Sequence, residues 1–400
     1  MKEGPRHAPM DQFPVNGDCL EVGGIPLPRL AARAGQTPFY VYDRGVMTNS
    51  VNLLRRTLPH QISLHYAIKA NPMPAVVQHM AGLTDGLDVA SLGEMLVALD
   101  SGIAPGKISF AGPGKSDREL RAAIAAGVII NLESAGELER IAAIGEALSL
   151  TPAVSVRVNP DFKLKSSGMK MGGGPKPFGV DAEQVPQLLK RLGRLNIDFK
   201  GFHIFSGSQN LRPEAIIEAQ TKTFELAFRL ADDAPSSITW LNIGGGFGIP
   251  YFAGETRLDL IPVAENLEKL VADSSARLPE AEIIIELGRY LVGEAGIYVC
   301  EIVDRKESRG ELFLVTNGGL HHHLAASGNF GQVIRKNYPV ALATGNSAPD
   351  RETVNVVGPL CTPLDILAAR ITLPRAEPGD LVAVFQSGAY GYTASPHHFL

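Results

Sequence analysis

Residues 107–147 read KISFAGPGKSDRELRAAIAAGVIINLESAGELERIAAIGEA, and their texture changes repeatedly. KISFAG (107–112) is a short β-branched and apolar run closed by glycine. DRELRAAIAA (117–126) carries its apolar residues at helical spacing. VIINLE (128–133) is a second strand-like run. AGELERIAAIGEA (135–147) is a second helical pattern, with Ser134 placed as N-cap and Glu137 three residues on. A strand, helix, strand and helix in such close succession build a parallel sheet.

The alternation continues in both directions. Further strands are expected at 62–70, 86–91, 153–159, 199–206, 239–244 and 282–287. Eight such alternations are what a (β/α)8 TIM barrel requires. An open doubly wound sheet has the same periodicity; the barrel is the reading adopted. After about residue 295 the runs IYVCEIVDRK, ELFLVTNGG, TVNVVGPLC, ARITLP and DLVAVFQSG follow without long helices between them. They predict an all-β domain, and the early CLEVGGIPL (19–27) has the same texture and is expected to join it. The expected division is a flexible polar tail over 1–17, a barrel over 38–292, and a β domain made of 18–37 plus 293–400.

Composition narrows the function. The chain has 400 residues, 45% of them hydrophobic, so it can bury a large core. Its net charge of −5 argues against nucleic acid as a partner, because phosphate neutralisation needs clustered basic charge. No apolar run approaches the roughly 20 residues of a membrane span. The N-terminal MKEGPRHAPMDQF lacks an apolar signal core. Cys19, Cys300 and Cys361 are odd in number and far apart, which suits neither a disulfide framework nor a zinc site. A cytoplasmic setting is the expectation.

In a barrel the reactive groups project from the C-terminal strand ends. The first strand finishes Tyr66-Ala-Ile-Lys69-Ala-Asn71. A lysine there either snorkels at the strand edge or has a depressed pKa suited to imine formation with an aldehyde. Asp88 ends the second strand and the fifth carries Arg157; either alone is also what a structural ion pair provides. The seventh ends in Gly244-Gly245-Gly246-Phe247-Gly248, which makes a tight turn or lets a phosphate approach backbone N–H groups. The eighth ends Glu286-Leu-Gly288-Arg289, either a salt bridge or a pair serving one ligand with an anionic group and a basic nitrogen. A phosphorylated pyridine aldehyde would use all four ends: lysine for the aldehyde, carboxylate for the ring nitrogen, glycines and arginine for the phosphate. His321-His322-His323 has no second ligand cluster at metal spacing, and reads as a loop or a wall of the site rather than a metal centre.

These residues sit in motifs, YAIKAN, GLDVASLGE, RVNPD, GSQ, GGGFGIPY, ELGRYLV, CTPLD and SGAYG, in an order that resembles the fold-type III pyridoxal-phosphate decarboxylases. That family includes diaminopimelate, ornithine and arginine decarboxylases, and the resemblance runs over about residues 20–400. It implies a pyridoxal 5'-phosphate-dependent carboxy-lyase with a barrel followed by a β domain. It implies that Lys69 holds the cofactor as an aldimine, that Asp88 and Arg157 support the ring, and that Glu286 pairs with the pyridine nitrogen. Ser208, Gly245, Gly246, Gly288, Arg289 and Tyr390 correspond to phosphate contacts or to the segments that carry them. Cys361 corresponds to a cysteine that crosses from the partner subunit and returns a proton to the substrate carbon. Asp365 belongs to the same motif. The family works as a homodimer with shared active sites.

Departures from the family pattern bear on the substrate. Where relatives stack a histidine on the pyridine ring this chain has Phe205, with His203 two residues earlier on the same side of the strand. Either could stack; the phenyl ring is favoured, with His203 beneath or beside it. Thr362 stands where diaminopimelate enzymes place a glutamate for the distal end of the substrate, and Asn317-Gly-Gly-Leu-His-His-His323 replaces their arginine segment. Thr362, Asp365 and His322 are therefore expected along the substrate side. Gly-Ser-Gln-Asn-Leu (207–211) and Ser-Pro-x-His-Phe (395–399) resemble a narrower branch. It includes the butirosin-pathway decarboxylase of carrier-protein-tethered glutamyl groups and decarboxylases associated with the exosortase A system. The chain ends soon after Tyr390, which raises the expectation of a trimmed last segment. The expected substrate is an amino acid, free or on an acyl carrier protein. Diaminopimelate decarboxylation, a catalytically inactive binding homologue and a racemase are the rivals. Finally, DFKLKSSGMKMGGGPKP (161–177) is basic and glycine-rich, and is expected to be a mobile lid that meets an acidic partner.

Overall fold

The computed structural model describes residues 5–164, 169, 170 and 172–399, the pair 169–170 by backbone only. It divides into two compact units, Val51–Ile249 with Leu258–Tyr290, and Met1–Ser50 with Pro250–Arg257 and Leu291–Leu400.

The first unit is a closed parallel barrel of eight strands: β1 (Ile62–Ala67), β2 (Gly86–Val89), β3 (Ile108–Phe110), β4 (Ile129–Leu132), β5 (Ala153–Asn159), β6 (Asp198–Ile204), β7 (Trp240–Gly245) and β8 (Glu282–Leu287). Each pairs with the next, and β8 returns to β1 through Glu286↔His65 and Leu287↔Tyr66. Outward residues such as Tyr66, Phe110 and Phe202 are wholly buried beneath the helices. The helices form where the sequence places their caps. Ser116 and Glu119 make a reciprocal capping box at Asp117–Ala126, and Gly127 closes that helix at a φ of 78°. Ser134 Oγ accepts from Glu137 N at 3.1 Å, opening Ala135–Leu148. The Glu137 carboxylate does not complete a box with Ser134; it accepts from Glu133 N at 2.7 Å, because it also holds the buried Lys115 ammonium at 3.0 Å.

The second unit is built on the thirteen-residue strand Gly296–Ser308. Phe39–Tyr42 and Leu381–Val384 flank its first half, and Glu311–Thr316 pairs with its second. Arg351–Val357 and Ile366–Pro374 extend the sheet. The N-terminal segment joins this unit: Cys19–Val22 lies between Val15–Asn16 and Ile25–Pro26, and Leu20 N donates to Ala343 O at 2.8 Å. Phe13, Leu20 and Leu27 pack with Ile297, Val299 and Phe385 in its core. Of the loop 161–177, the residues 165–168 and 171 lie outside the described residues; Met169–Lys170 pairs antiparallel with Gly207–Ser208.

Candidate active site

Chemistry-bearing side chains of the barrel gather at the C-terminal strand ends. β1 stops at Ala67, two residues before the lysine, and the chain tightens into a 3-10 turn over Ile68–Ala70. Lys69 is thus not inside the strand as expected. Its neighbours Ile68 and Ala70 are buried, whereas the Lys69 side chain is 46% exposed. Its ammonium lies 3.4 Å from Glu286 Oε1 and 6.0 Å from the centre of the Phe205 ring. Gly288 permits this packing, since a Cβ there would come within 2.8 Å of Ala70 Cβ.

Glu286 is 7% exposed. Its other oxygen lies 3.2 Å from His203 Nε2. Burial alone raises a carboxyl pKa, but the Lys69 ammonium, the His203 ring and the Arg157 guanidinium outweigh it and hold Glu286 well below the usual carboxylate range. His203 is buried within β6, in register with Arg157 of β5 and Asn242 of β7. Phe205 lies just past the strand, half-buried, above the glycine turn. The two rings have different neighbours because β6 ends at Ile204: His203, inside the strand, meets the carboxylate, and Phe205, past its end, meets the lysine.

Arg157 Nη1 donates to Glu133 Oε1 at 2.8 Å, and its guanidinium stacks over Phe178 at 5.0 Å. Glu133, at the end of β4, also accepts from Gly112 N and Gly179 N. Burial pushes its carboxyl up, but Arg157 and Lys115 outweigh that and hold it low. Asp88 is buried and accepts from Ser109 Oγ. Glu133 is absent from the sequence-based site, although an acid closing an apolar strand was the available signal.

The glycine run forms a close-packed cradle. Gly244 and Gly246 take φ values of 69° and 75°, which favour glycine. A Cβ on Gly245 would collide with Glu286 O, and one on Gly246 with Gly207 O. Asn242 Oδ1 fixes the turn by accepting from Gly244 N at 2.8 Å. Asn210 N donates to Gly246 O at 2.9 Å, so Gly207-Ser208 and the glycine turn are laced together. Arg289 opens the short helix Arg289–Val292 directly after β8.

The remaining predicted residues belong to the β unit. Cys361 is exposed in the loop between Gly358 and Asp365. Asp365 is 2% exposed and clasps that loop: Oδ1 accepts from Leu320 N at 2.6 Å and Oδ2 from Leu360 N at 2.9 Å. Thr362 Oγ1 accepts from Leu364 N at 3.3 Å. Tyr390 has a φ of 52° and stacks with Phe330. Burial, with His321 and His397 nearby, lowers the His322 pKa to about 4, so its ring is neutral at pH 7. His323 is wholly buried on Ser387 Oγ, and burial lowers it to about 3. Among the described residues no three metal-ligating side chains converge.

The barrel residues fit pyridoxal 5'-phosphate on three counts. A half-exposed amine stands beside a buried, ionised carboxylate; a cradle without Cβ atoms lies at the neighbouring strand end; an aromatic ring faces the amine. Comparison with known proteins agrees. Residues 45–293 match the family "Pyridoxal-dependent decarboxylase, pyridoxal binding domain". The L-glutamyl-[BtrI acyl-carrier protein] decarboxylase of Niallia circulans is 37% identical over 91% of this chain and 86% of its own. The diaminopimelate decarboxylase of Aquifex aeolicus is 30% identical over 95% and 88%. The crystal structure of diaminopimelate decarboxylase from M. jannaschii superposes with a TM-score of 0.88 at 25% identity, covering 96% of this chain and 89% of that one. The chain therefore belongs to the pyridoxal-dependent decarboxylases, carboxy-lyases that work with pyridoxal 5'-phosphate.

Proposed function

We propose that this enzyme removes the α-carboxylate from an aminoacyl group carried by an acyl carrier protein, and that it works as a homodimer with shared active sites. The observation that carries the reading is the constellation of Lys69, Glu286 and His203 below Phe205. The relative named for a carrier-protein glutamyl substrate supports the tethered form. So does Thr362, which offers no charge to a distal substrate ammonium.

Lys69 Nζ is the amine that would hold the cofactor through its aldehyde group. Bound pyridoxal phosphate supplies an electron-withdrawing ring that accepts the electron pair released as CO₂ leaves. Glu286, kept ionised, would hold a proton on the cofactor's ring nitrogen. Gly245, Gly246 and Ser208, with Arg289 and Tyr390, bind the phosphate. Phe205, Asp88 and Arg157 would hold the cofactor's ring, and Gly288 keeps the Lys69 turn close. Cys361 Sγ of the partner chain delivers a proton to Cα. His322, neutral, and Asp365, through the loop it clasps, shape the substrate side with Thr362.

The test offers cofactor-loaded protein a glutamyl-carrier conjugate, free glutamate, diaminopimelate, ornithine and lysine, and follows CO₂ release. Turnover efficiency should favour a tethered substrate by about tenfold or more. Preference for free diaminopimelate would replace this reading with the lysine-biosynthetic one. No release from any substrate in protein that binds the cofactor would indicate a binding homologue.

A further inference from the structure

Beneath the strand-end groups, the barrel interior departs from the branched apolar filling usual for this fold. Its inward positions carry His65 on β1, Ser109 on β3, Asn131 on β4, Ser155 on β5 and Asn242 on β7. All five are 1% exposed or less. His65 stands in register between Glu286 of β8 and Gly86 of β2. A Cβ on Gly86 would collide with its ring, so that glycine makes room for the imidazole. The ring edge meets Trp240 at 5.1 Å and 77°. Its Nδ1 lies 3.5 Å from Asp88 Oδ1. Asp88 Oδ1 accepts in turn from Ser109 Oγ, which accepts from Asn131 Nδ2 at 3.1 Å. Within this layer both His65 nitrogens, Asp88 Oδ2, Asn131 Oδ1, Ser155 Oγ and Asn242 Nδ2 are buried without a hydrogen-bond partner from the protein. Buried polar atoms this dense are costly unless ordered water or each other satisfies them.

We propose that His65 is a positioning residue of the active site, which acts through Asp88. The imidazole, wedged between Gly86 and Trp240, presents Nδ1 to the Asp88 carboxylate from below; Ser109 and Asn131 hold the same carboxylate from the side. Asp88 is thereby fixed in one rotamer, its buried Oδ2 left without a donor from the protein. The charged groups facing His65 are Asp88 on β2 and Glu282 and Glu286 on β8, so the ring is set among carboxylates. The apolar alternative, a ring that only fills space against Trp240, would not need its nitrogens. This inference rests on Asp88 facing bound pyridoxal phosphate.

The experiment is a double-mutant cycle on full-length protein. His65→Phe keeps a ring and removes both nitrogens; His65→Asn keeps one N–H near the Nδ1 position. His65→Phe should lower kcat about tenfold, leave KM within about threefold, and alter the visible circular dichroism of bound pyridoxal phosphate. His65→Asn should restore kcat to within about threefold. In an Asp88→Asn background, His65→Phe should change the dichroism and the affinity of the apoprotein for pyridoxal phosphate by less than about twofold. Equal effects in both backgrounds, or a folded His65→Phe chain with native kcat and dichroism, would overturn the proposal. Should His65→Phe not fold, the unaltered protein decides. A slowly exchanging histidine ring N–H resonance should be present, move in Asp88→Asn and vanish in His65→Asn; a resonance indifferent to Asp88→Asn overturns the proposal. Loss of all cofactor attachment to Lys69 in the unaltered chain would instead sink the proposed function.

Discussion

Glu286 shows how one residue's surroundings set its chemistry. Burial alone would raise its carboxyl pKa; between Lys69, His203 and Arg157 it stays ionised. Its folded-state pKa is depressed, so its contribution to stability is present above the unfolded value of 4.5 and is lost as pH falls below it. Glu286→Gln should therefore differ from the unaltered apoprotein most at neutral pH, with the two urea midpoints converging as pH drops below that value. A gap that widens in acid would show that the carboxyl is not held ionised. In the loaded enzyme, Glu286→Gln should lower kcat about a hundredfold or more, while pyridoxal phosphate still binds. At Lys69, borohydride treatment of the loaded protein should fix the cofactor on the peptide containing that residue. Its recovery on another lysine, such as Lys107 or Lys115, which also make ion pairs in the barrel unit, would refute the assignment.

At the scale of elements, the barrel was legible because each strand and helix repeats the same local argument. The expected 117–126 helix is Asp117–Ala126, and the expected strand 282–287 is Glu282–Leu287. What was not legible lies where the chain leaves a strand. The strand expected over 62–70 ends at Ala67, because an apolar run looks the same whether it continues as a strand or tightens into a turn. The partners of Arg157 and Lys115, Glu133 and Glu137, come from a neighbouring βα unit, and no periodicity links them. The polar inward layer was hidden because single polar residues inside apolar strands, such as Asn242 in WLNIGG, carry no spacing of their own. The glycine turn was legible as a turn, and its packing makes it testable. Gly246→Ala forces a side chain against Gly207 O at a φ of 75°. It should weaken pyridoxal phosphate affinity about tenfold or more, with an unchanged far-UV spectrum. Native affinity would remove the cradle from the phosphate site. By contrast, Ser134→Ala removes only a helix cap, and should cost about 1 kcal/mol in urea unfolding with cofactor affinity intact.

At the scale of the whole molecule, Lys69 and Glu286 belong to the barrel unit and Cys361 to the β unit. Cys361 is exposed, and its loop is held by Asp365, so the thiol is presented on a fixed loop. A proton donor that serves the same chain's lysine and one that serves the partner's make different predictions on mixing. Lys69→Ala and Cys361→Ala chains are each expected to be inactive or nearly so. In an isologous dimer with crossed cysteines, a hybrid has one site with neither residue and one site with both. Random exchange makes hybrids about half of the dimers, with half of their sites native, so the mixture should regain about a quarter of the unaltered activity. If each cysteine served its own chain, every site in the hybrid would lack one residue, and mixing would restore nothing. Exchange itself is checked with two differently tagged chains recovered together, so that a null result with proven exchange places Lys69 and Cys361 of one site on one chain. Recovery near a quarter, abolished when both substitutions are put on a single chain and mixed with Lys69→Ala, would fix the crossed arrangement.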